Sequence, residues 1–172
     1  MLVWMQARNR AYEVRNAYDL DVPVDLERLC DELGIRVIIG DLGEASGLIL
    51  KERGEDATIY LNYRDTPLRR RFTLAHELGH YFERIDANDD AYSFRDKAVM
   101  SEARSSKYGL MEFYADEFAG ELLMPEDEFR DIHNQGGDAF AARHFGVTPS
   151  AAAKRNQRLE YSDRLLKDID YD

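Results

Sequence analysis

The stretch of sequence that decides the fold is His76-Glu77-Leu78-Gly79-His80. Thr66-Pro67 predicts the start of a helix, as an N-cap followed by proline in the first turn, and no further proline occurs before Ile85. Residues four apart on a helix lie one turn apart on the same face, so both imidazoles can bind one metal ion. Glu77 leaves the helix about 100° from His76 and therefore lies beside the histidine pair.

The core does not require these histidines, because the predicted helix has a separate apolar stripe on its opposite face. The stripe consists of Leu74, Leu78, Tyr81 and Ile85. Gly79 weakens a helix by about 1 kcal/mol relative to alanine, which indicates that another backbone or a ligand comes close. A plain alternative is two surface histidines on an amphipathic helix. The glutamate between them favours the H-E-x-x-H pattern of zinc metallopeptidases, in which it is the general base.

A catalytic zinc ion needs a third protein ligand and an open position for water. Glu83 lies on the same helix as the histidines and cannot converge on the same ion from there. The best candidate is Glu112, in a second helix predicted at 109–124. Weaker candidates lie in the polar segment after the first helix and are Asp86, Asp89 and Asp90.

Asp116 follows Glu112 by one helical turn, on a face that continues into apolar residues. Acidic residues are seldom buried without a partner, so two of them on such a face indicate a functional role. We predict that Glu112 completes a His2Glu zinc set and that Asp116 accepts the free N–H of a ligand histidine. The alternative is that the two carboxylates only interact favourably with the positive end of the helix dipole. Glu117 and Glu121 point elsewhere and are expected to be solvated charges.

Three blocks of this sequence resemble the ImmA/IrrE metallopeptidases. They are residues 71–80, then Arg104-Ser105-Ser106, then residues 112–125 with their Phe-Ala-Gly-Glu-Leu-Leu-Met-Pro ending. The resemblance extends over residues 10 to 130, with the blocks in the same order. The sequence departs from the family pattern in the long loop from Asp86 to Lys107 and in the C-terminal segment.

The resemblance implies a gluzincin-like fold with a thermolysin-like pair of core helices and a single zinc ion. His76, His80 and Glu112 match the family's zinc ligands, and Glu77 matches its general base. Asp116 occupies a place often taken by Asn or Asp. The implied activity is cleavage of a helix-turn-helix repressor to relieve repression, in the setting of transcription regulation, stress response or mobile elements such as phages.

Composition predicts one ordinary core, because 172 residues with 44% hydrophobic content suit one domain with a small appendage. The net charge of −11, from 23 basic and 34 acidic residues, disfavours general binding to polyanions. The single cysteine, Cys30, excludes an internal disulfide and is expected to be a core thiol. No apolar run reaches signal-peptide or membrane-spanning length, so a cytoplasmic protein is expected.

We predict an α+β fold: a mostly helical zinc-peptidase core, a small antiparallel β-sheet beside the His76–His80 helix, and C-terminal helices. Helices are expected at 3–18, 23–33, 66–85, 109–124 and 126–134, and strands at 35–39, 46–51 and 57–62. The sheet edge either holds an extended substrate or is purely structural. The predicted domains are a metallopeptidase domain at 1–130 and a C-terminal helical segment at 131–172.

The C-terminal segment fits a helix-turn-helix, with helix 139–144, a turn at 145–147 and a second helix from Thr148-Pro149. The favoured interpretation is a helix pair that packs on the catalytic core. The second helix carries a locally basic patch of Lys154, Arg155 and Arg158. This patch is predicted to dock the substrate, and direct nucleic-acid binding through 139–159 is the weaker alternative.

The leading hypothesis is a zinc endopeptidase that cleaves a regulatory protein such as a helix-turn-helix repressor. The alternatives are a non-proteolytic antirepressor or toxin–antitoxin partner, and a DNA-binding regulator with a structural zinc. A structural zinc normally has four protein ligands and no acid beside it, so Glu77 favours the enzyme. The sequence selects no oxyanion donor, and His133 and His144 are expected to be ordinary surface or core histidines.

Overall fold

The computed structural model describes residues 1–97 and 107–169. They form the predicted helix-rich α+β fold. The helices are α1 (Val3–Ala17), α2 (Leu26–Leu33), α3 (Pro67–Asp86), α4 (Lys107–Leu123), α5 (Glu126–Phe145) and α6 (Pro149–Ile169). The strands are β1 (Arg36–Gly40), β2 (Ala45–Lys51), β3 (Thr58–Asn62) and β4 (Tyr92–Lys97). None of these helices is long and apolar enough to cross a bilayer.

Capping side chains determine where α2 and α3 begin. The Thr66 hydroxyl accepts a hydrogen bond from a first-turn backbone N–H at 3.3 Å, and Pro67 follows it, as the sequence predicts. The Asp25 carboxylate caps α2 in the same way at 3.0 Å. α2 therefore begins at Leu26, later than its predicted start at residue 23.

The four strands form one sheet in the order β1-β3-β2-β4. β2 and β3 form the predicted antiparallel hairpin, and β4 pairs antiparallel with the other side of β2. β1 runs parallel to β3, so the small sheet is mixed, with antiparallel pairing in its other two strand pairs. β4 lies in the 86–107 segment, for which a loop is expected. The alternation of Tyr92, Ser93 and Phe94 is the strand signal that could have predicted it.

α3 and α4 approach each other closely, and Gly79 makes this approach possible. A Cβ atom added to Gly79 would lie 2.8 Å from the Cα of Ala115 and 3.1 Å from its carbonyl oxygen. The close backbone that Gly79 predicts is therefore that of α4. Leu78 and Phe118 are completely buried in the core that these two helices share.

α5 and α6 pack on the other helices through the same apolar core. Phe129 and Leu159 are completely buried in the cluster that also contains the core residues of α3 and α4. A kink at Gly137, where φ is 73°, separates the two helices predicted at 126–134 and 139–144. Gly146 ends α5 in the left-handed conformation with φ of 69°, at the predicted turn. The division of the chain near residue 130 stays a prediction.

The Arg104-Ser105-Ser106 block of the family resemblance lies outside the described residues.

Candidate metal centre

Two helices bring together three side chains that can hold a metal ion. His76 and His80 lie one turn apart on α3, and Glu112 reaches them from α4. Glu112 Oε2 lies 3.1 Å from His76 Nε2, and Glu112 Oε1 lies 3.0 Å from His80 Nε2. One donor atom from each residue lies within 4.8 Å of the other two. The predicted ligands therefore converge on one place.

This donor set fits zinc. Imidazole nitrogens and carboxylate oxygens bind zinc at about 2.0–2.2 Å, which places tetrahedral donors roughly 3.3 Å apart. The distances from Glu112 to the two histidine nitrogens are close to that spacing. Three protein ligands also leave a fourth position for water or a substrate, which is the arrangement of a catalytic zinc site.

The cluster is buried at the histidines and more open at the glutamate. The His80 side chain is 1% exposed, whereas that of Glu112 is 27% exposed. Phe94 of β4 stacks on the His80 ring, with ring centroids 4.2 Å apart and planes 6° from parallel. This stacking covers one face of the imidazole and restricts its rotation. The cluster is therefore more accessible at Glu112 than at His80.

Asp116 contacts the His76 ring from α4. Burial alone would raise the pKa of Asp116, but the hydrogen bond and charge of His76, with the charges of Lys154 and Arg158, lower it to about 2. The ionised carboxylate accepts a hydrogen bond from His76 Nδ1, which lies 2.9 Å from Asp116 Oδ1. If the imidazole is neutral, Nε2 then carries a lone pair, and this lone pair faces Glu112. Two acceptors at this distance require a cation between them, either a proton or a metal ion.

Glu77 lies beside the ligands, and its side chain is completely buried. Its carboxylate lies against β2 at Gly47, because a Cβ atom added there would be 2.7 Å from Glu77 Oε1. The same Cβ atom would be 2.5 Å from Thr73 Cγ2. Gly47 therefore leaves the space that the Glu77 carboxylate occupies. Sequence reasoning missed this glycine, although a glycine inside an apolar strand indicates such a close approach.

Comparison with known proteins assigns the chain to a family. The sequence profile of a peptidase family, the IrrE N-terminal-like domain, matches residues 30–156. The chain belongs to this family. The membership inferred from the sequence motifs is thereby confirmed. The matched residues include α3 and α4 with the complete candidate centre, whereas α1 lies outside them.

Individual members and structures are similar over part of their length. The Metallopeptidase ImmA of Bacillus subtilis (strain 168) is 35% identical over 54 residues, which are 31% of this chain and 31% of that protein. A Mycobacterium tuberculosis transcriptional regulator of known structure matches with a TM-score of 0.54 and 22% identity. That match covers 89% of this chain and 46% of the regulator chain, so this chain spans less than half of the regulator. At 22% identity, this structural similarity shows that the two chains share a fold and no more.

Glu117 and Glu121 are buried, so the expectation of solvated charges was wrong. They are 2% and 6% exposed, respectively. Glu117 accepts a hydrogen bond from Arg8 Nε on α1 at 2.9 Å, and Glu121 is paired with Arg155 on α6. Buried carboxylates are tolerated when such partners neutralise them. α4 therefore carries two buried glutamates, each paired with arginines, in addition to its contribution to the centre.

The basic patch predicted on α6 is largely taken up by these contacts. Arg155 is 3% exposed, and its Nε donates a hydrogen bond to the Met124 carbonyl oxygen at 3.1 Å. Arg158 donates hydrogen bonds to Glu117 and Asp116. Lys154 alone among the three has a mainly exposed side chain, at 53%. Little of this charge is left for a phosphate backbone or a docked substrate.

The three weaker ligand candidates, Asp86, Asp89 and Asp90, and the histidines outside α3 form other contacts. The pairs are Asp86 with Arg10, Asp89 with Arg84, Asp90 with Arg53, His133 with Asp138, and His144 with Glu128. Within residues 1–97 and 107–169, the group that could hold a metal contains none of them. His133 and His144 are ordinary histidines within hydrogen-bond distance of a carboxylate, as expected, with side chains 20% and 36% exposed, respectively.

Proposed function

We propose that this chain is a zinc-dependent endopeptidase that cleaves a regulatory protein, with a helix-turn-helix transcriptional repressor as its substrate. The observation that carries this proposal is the buried Glu77 carboxylate beside a cluster of two histidines and a glutamate. Membership of a peptidase family and similarity to a protein named Metallopeptidase ImmA support the same activity.

Each residue of the centre has a distinct part in peptide hydrolysis. His76, His80 and Glu112 would hold the zinc ion, which supplies a Lewis acid that activates water and polarises the scissile carbonyl group. Glu77 accepts the proton from the attacking water and delivers it to the nitrogen of the leaving amine. Asp116 keeps the proton of His76 on Nδ1, so that Nε2 remains a ligand.

A repressor is the favoured substrate because of charge as well as resemblance. The chain has a net charge of −11, and an acidic surface attracts a basic partner such as a DNA-binding protein. All three cations of the α6 patch are paired with carboxylates of α4. Both facts disfavour the alternative in which the chain binds DNA directly.

The non-catalytic alternatives explain less of the centre. A structural zinc normally has four protein ligands, whereas three converge here among the described residues. An antirepressor or toxin–antitoxin partner that acts only by binding does not need a buried glutamate beside a metal cluster. Burying such a carboxylate is costly, and catalysis gives a reason for it.

Glu77→Gln separates the enzyme from every binding-only alternative. Glutamine has nearly the same volume and can still hydrogen-bond water, but it cannot accept the proton. Cleavage of a repressor encoded beside the gene should therefore decrease by at least about 100-fold, while zinc content and folding are retained. The mutant should still bind that repressor.

Glu83→Gln provides the matched control, because Glu83 lies on the same helix but contacts Arg84. This variant should cleave at the wild-type rate. If Glu77→Gln relieves repression in cells as well as the wild type does, proteolysis is not the function. A binding-only role then replaces the proposal.

A further inference from the structure

A continuous set of contacts connects α6 to the His76 ligand. One guanidinium nitrogen of Arg158 donates a hydrogen bond to Glu117 Oε1 at 2.6 Å, and the other donates to Asp116 Oδ2 at 3.3 Å. The second oxygen of Asp116 lies 2.9 Å from His76 Nδ1. A single carboxylate therefore separates Arg158 from a candidate zinc ligand.

The guanidinium of Arg158 is held from several sides. Glu117, its stronger partner, is 2% exposed and also accepts a hydrogen bond from Arg8 at 2.9 Å. Arg158 also lies over the ring of Phe113, 5.2 Å from its centroid. With Glu117 fixed between two arginines, the second nitrogen of Arg158 has a defined direction toward Asp116.

Lys154 gives a useful contrast at the same carboxylate. Its Nζ lies 3.8 Å from Asp116 Oδ2, and its side chain is 53% exposed. A flexible ammonium at that distance contributes charge with little control of orientation. Arg158 has the geometry that can set which way the Asp116 carboxylate points.

We infer that Arg158 is a positioning residue of the metal centre: it holds Asp116 in the orientation that keeps His76 Nε2 directed at the ion. α6 is then part of the centre although it contributes no ligand. This inference rests on the proposed function, because it requires that the cluster of His76, His80 and Glu112 binds zinc.

Arg158→Gln tests this inference through zinc affinity, measured by competition with a chromophoric chelator. We expect zinc binding to weaken about 3- to 10-fold, less than the 10- to 100-fold typical of losing a direct hydrogen-bond partner such as Asp116. Arg158→Lys, which keeps the charge but not the two-pronged geometry, should weaken binding to a similar degree. A Co²⁺-loaded sample should show a changed visible spectrum in both variants.

Two control variants separate positioning from other effects. Arg130→Gln removes a guanidinium that contacts Glu126 and Asp163, so it perturbs the contact between α5 and α6 without reaching Asp116. Lys154→Gln removes one positive charge beside Asp116. Both should change zinc affinity less than twofold. An equal loss in Lys154→Gln would mean a general effect of charge and would overturn the inference.

A double-mutant cycle with Asp116→Asn gives the decisive comparison. If Arg158 acts through Asp116, the double variant should bind zinc no more weakly than Asp116→Asn alone. Additive losses, or wild-type affinity in Arg158→Gln, would overturn the inference while the wild type still binds zinc and cleaves its substrate. A wild-type chain that binds no zinc would overturn the proposed function as well.

Discussion

A methyl group at Gly47 would compete with Glu77 for space, which makes Gly47→Ala a direct test of the proposed general base. The added Cβ atom would lie 2.7 Å from Glu77 Oε1, whereas ordinary contacts begin at 3.4 Å. The carboxylate would have to move by about 0.7 Å to restore a normal contact. A misplacement of 1 Å can reduce a rate about 100-fold, so we expect kcat/KM to decrease about 10- to 100-fold, equivalent to about 1.4–2.7 kcal/mol.

The assay measures kcat/KM on the repressor, zinc content and urea unfolding in the same preparations. Overpacking should also reduce the free energy of unfolding by about 1–3 kcal/mol. Zinc content should be unchanged, because the atoms nearest to the added Cβ belong to Glu77 and Thr73 and not to a ligand. Gly40→Ala on β1 is the matched control, since nothing lies within 4 Å of its added Cβ atom. A folded Gly47→Ala variant with full activity would refute the assignment of Glu77.

Three further predictions concern stability, the thiol and the third ligand. Gly79→Ala should destabilise the fold by about 1–3 kcal/mol in urea unfolding, since its Cβ meets the Ala115 backbone, and net stabilisation from improved helix propensity would contradict this. Burial, with two neighbouring acidic charges, raises the pKa of Cys30 to about 12. At pH 8 a thiol reagent should therefore react with Cys30 only after the protein unfolds. The free energy of unfolding should decrease above about pH 8.5, because the thiol then ionises in the unfolded chain but stays neutral in the folded one. Glu112→Ala should weaken zinc binding by more than about 100-fold in a chelator titration, and unchanged affinity would remove Glu112 as a ligand.

The convergence of the candidate ligands could be predicted because it depends on local periodicity. His76 and His80 are related by one helical turn, which the sequence gives directly. Glu112 and Asp116 could be selected because they share a face of a single helix. The contact between the two helices was indicated only by Gly79, whose partner, α4, is evident from the structure.

The charge pairing of α4 could not be predicted, because the partners are distant in sequence. Arg8 lies 109 residues from Glu117, and Arg155 lies 34 residues from Glu121. Residues 114–123 are all buried except Asp116, so this part of the helix is enclosed by other elements and its glutamates need such distant partners. The parallel pairing of β1 with β3 is equally non-local, since strand direction depends on how the chain returns to the sheet.

The contacts of Arg8 extend the folding unit beyond the residues that match the family. Arg8 on α1 is 7% exposed and donates hydrogen bonds to Glu117 at 2.9 Å and to Ser162 on α6 at 3.1 Å. A fragment trimmed to residues 30–156 would keep every candidate ligand but would lose Arg8, Arg158 and Ser162. Glu117 would lose both of its arginines, and breaking a buried ion pair typically costs about 3–5 kcal/mol, a large part of the roughly 5–15 kcal/mol that stabilises a domain. Such a fragment should misfold or aggregate, and a recombinant peptidase core from this chain needs both flanking helices.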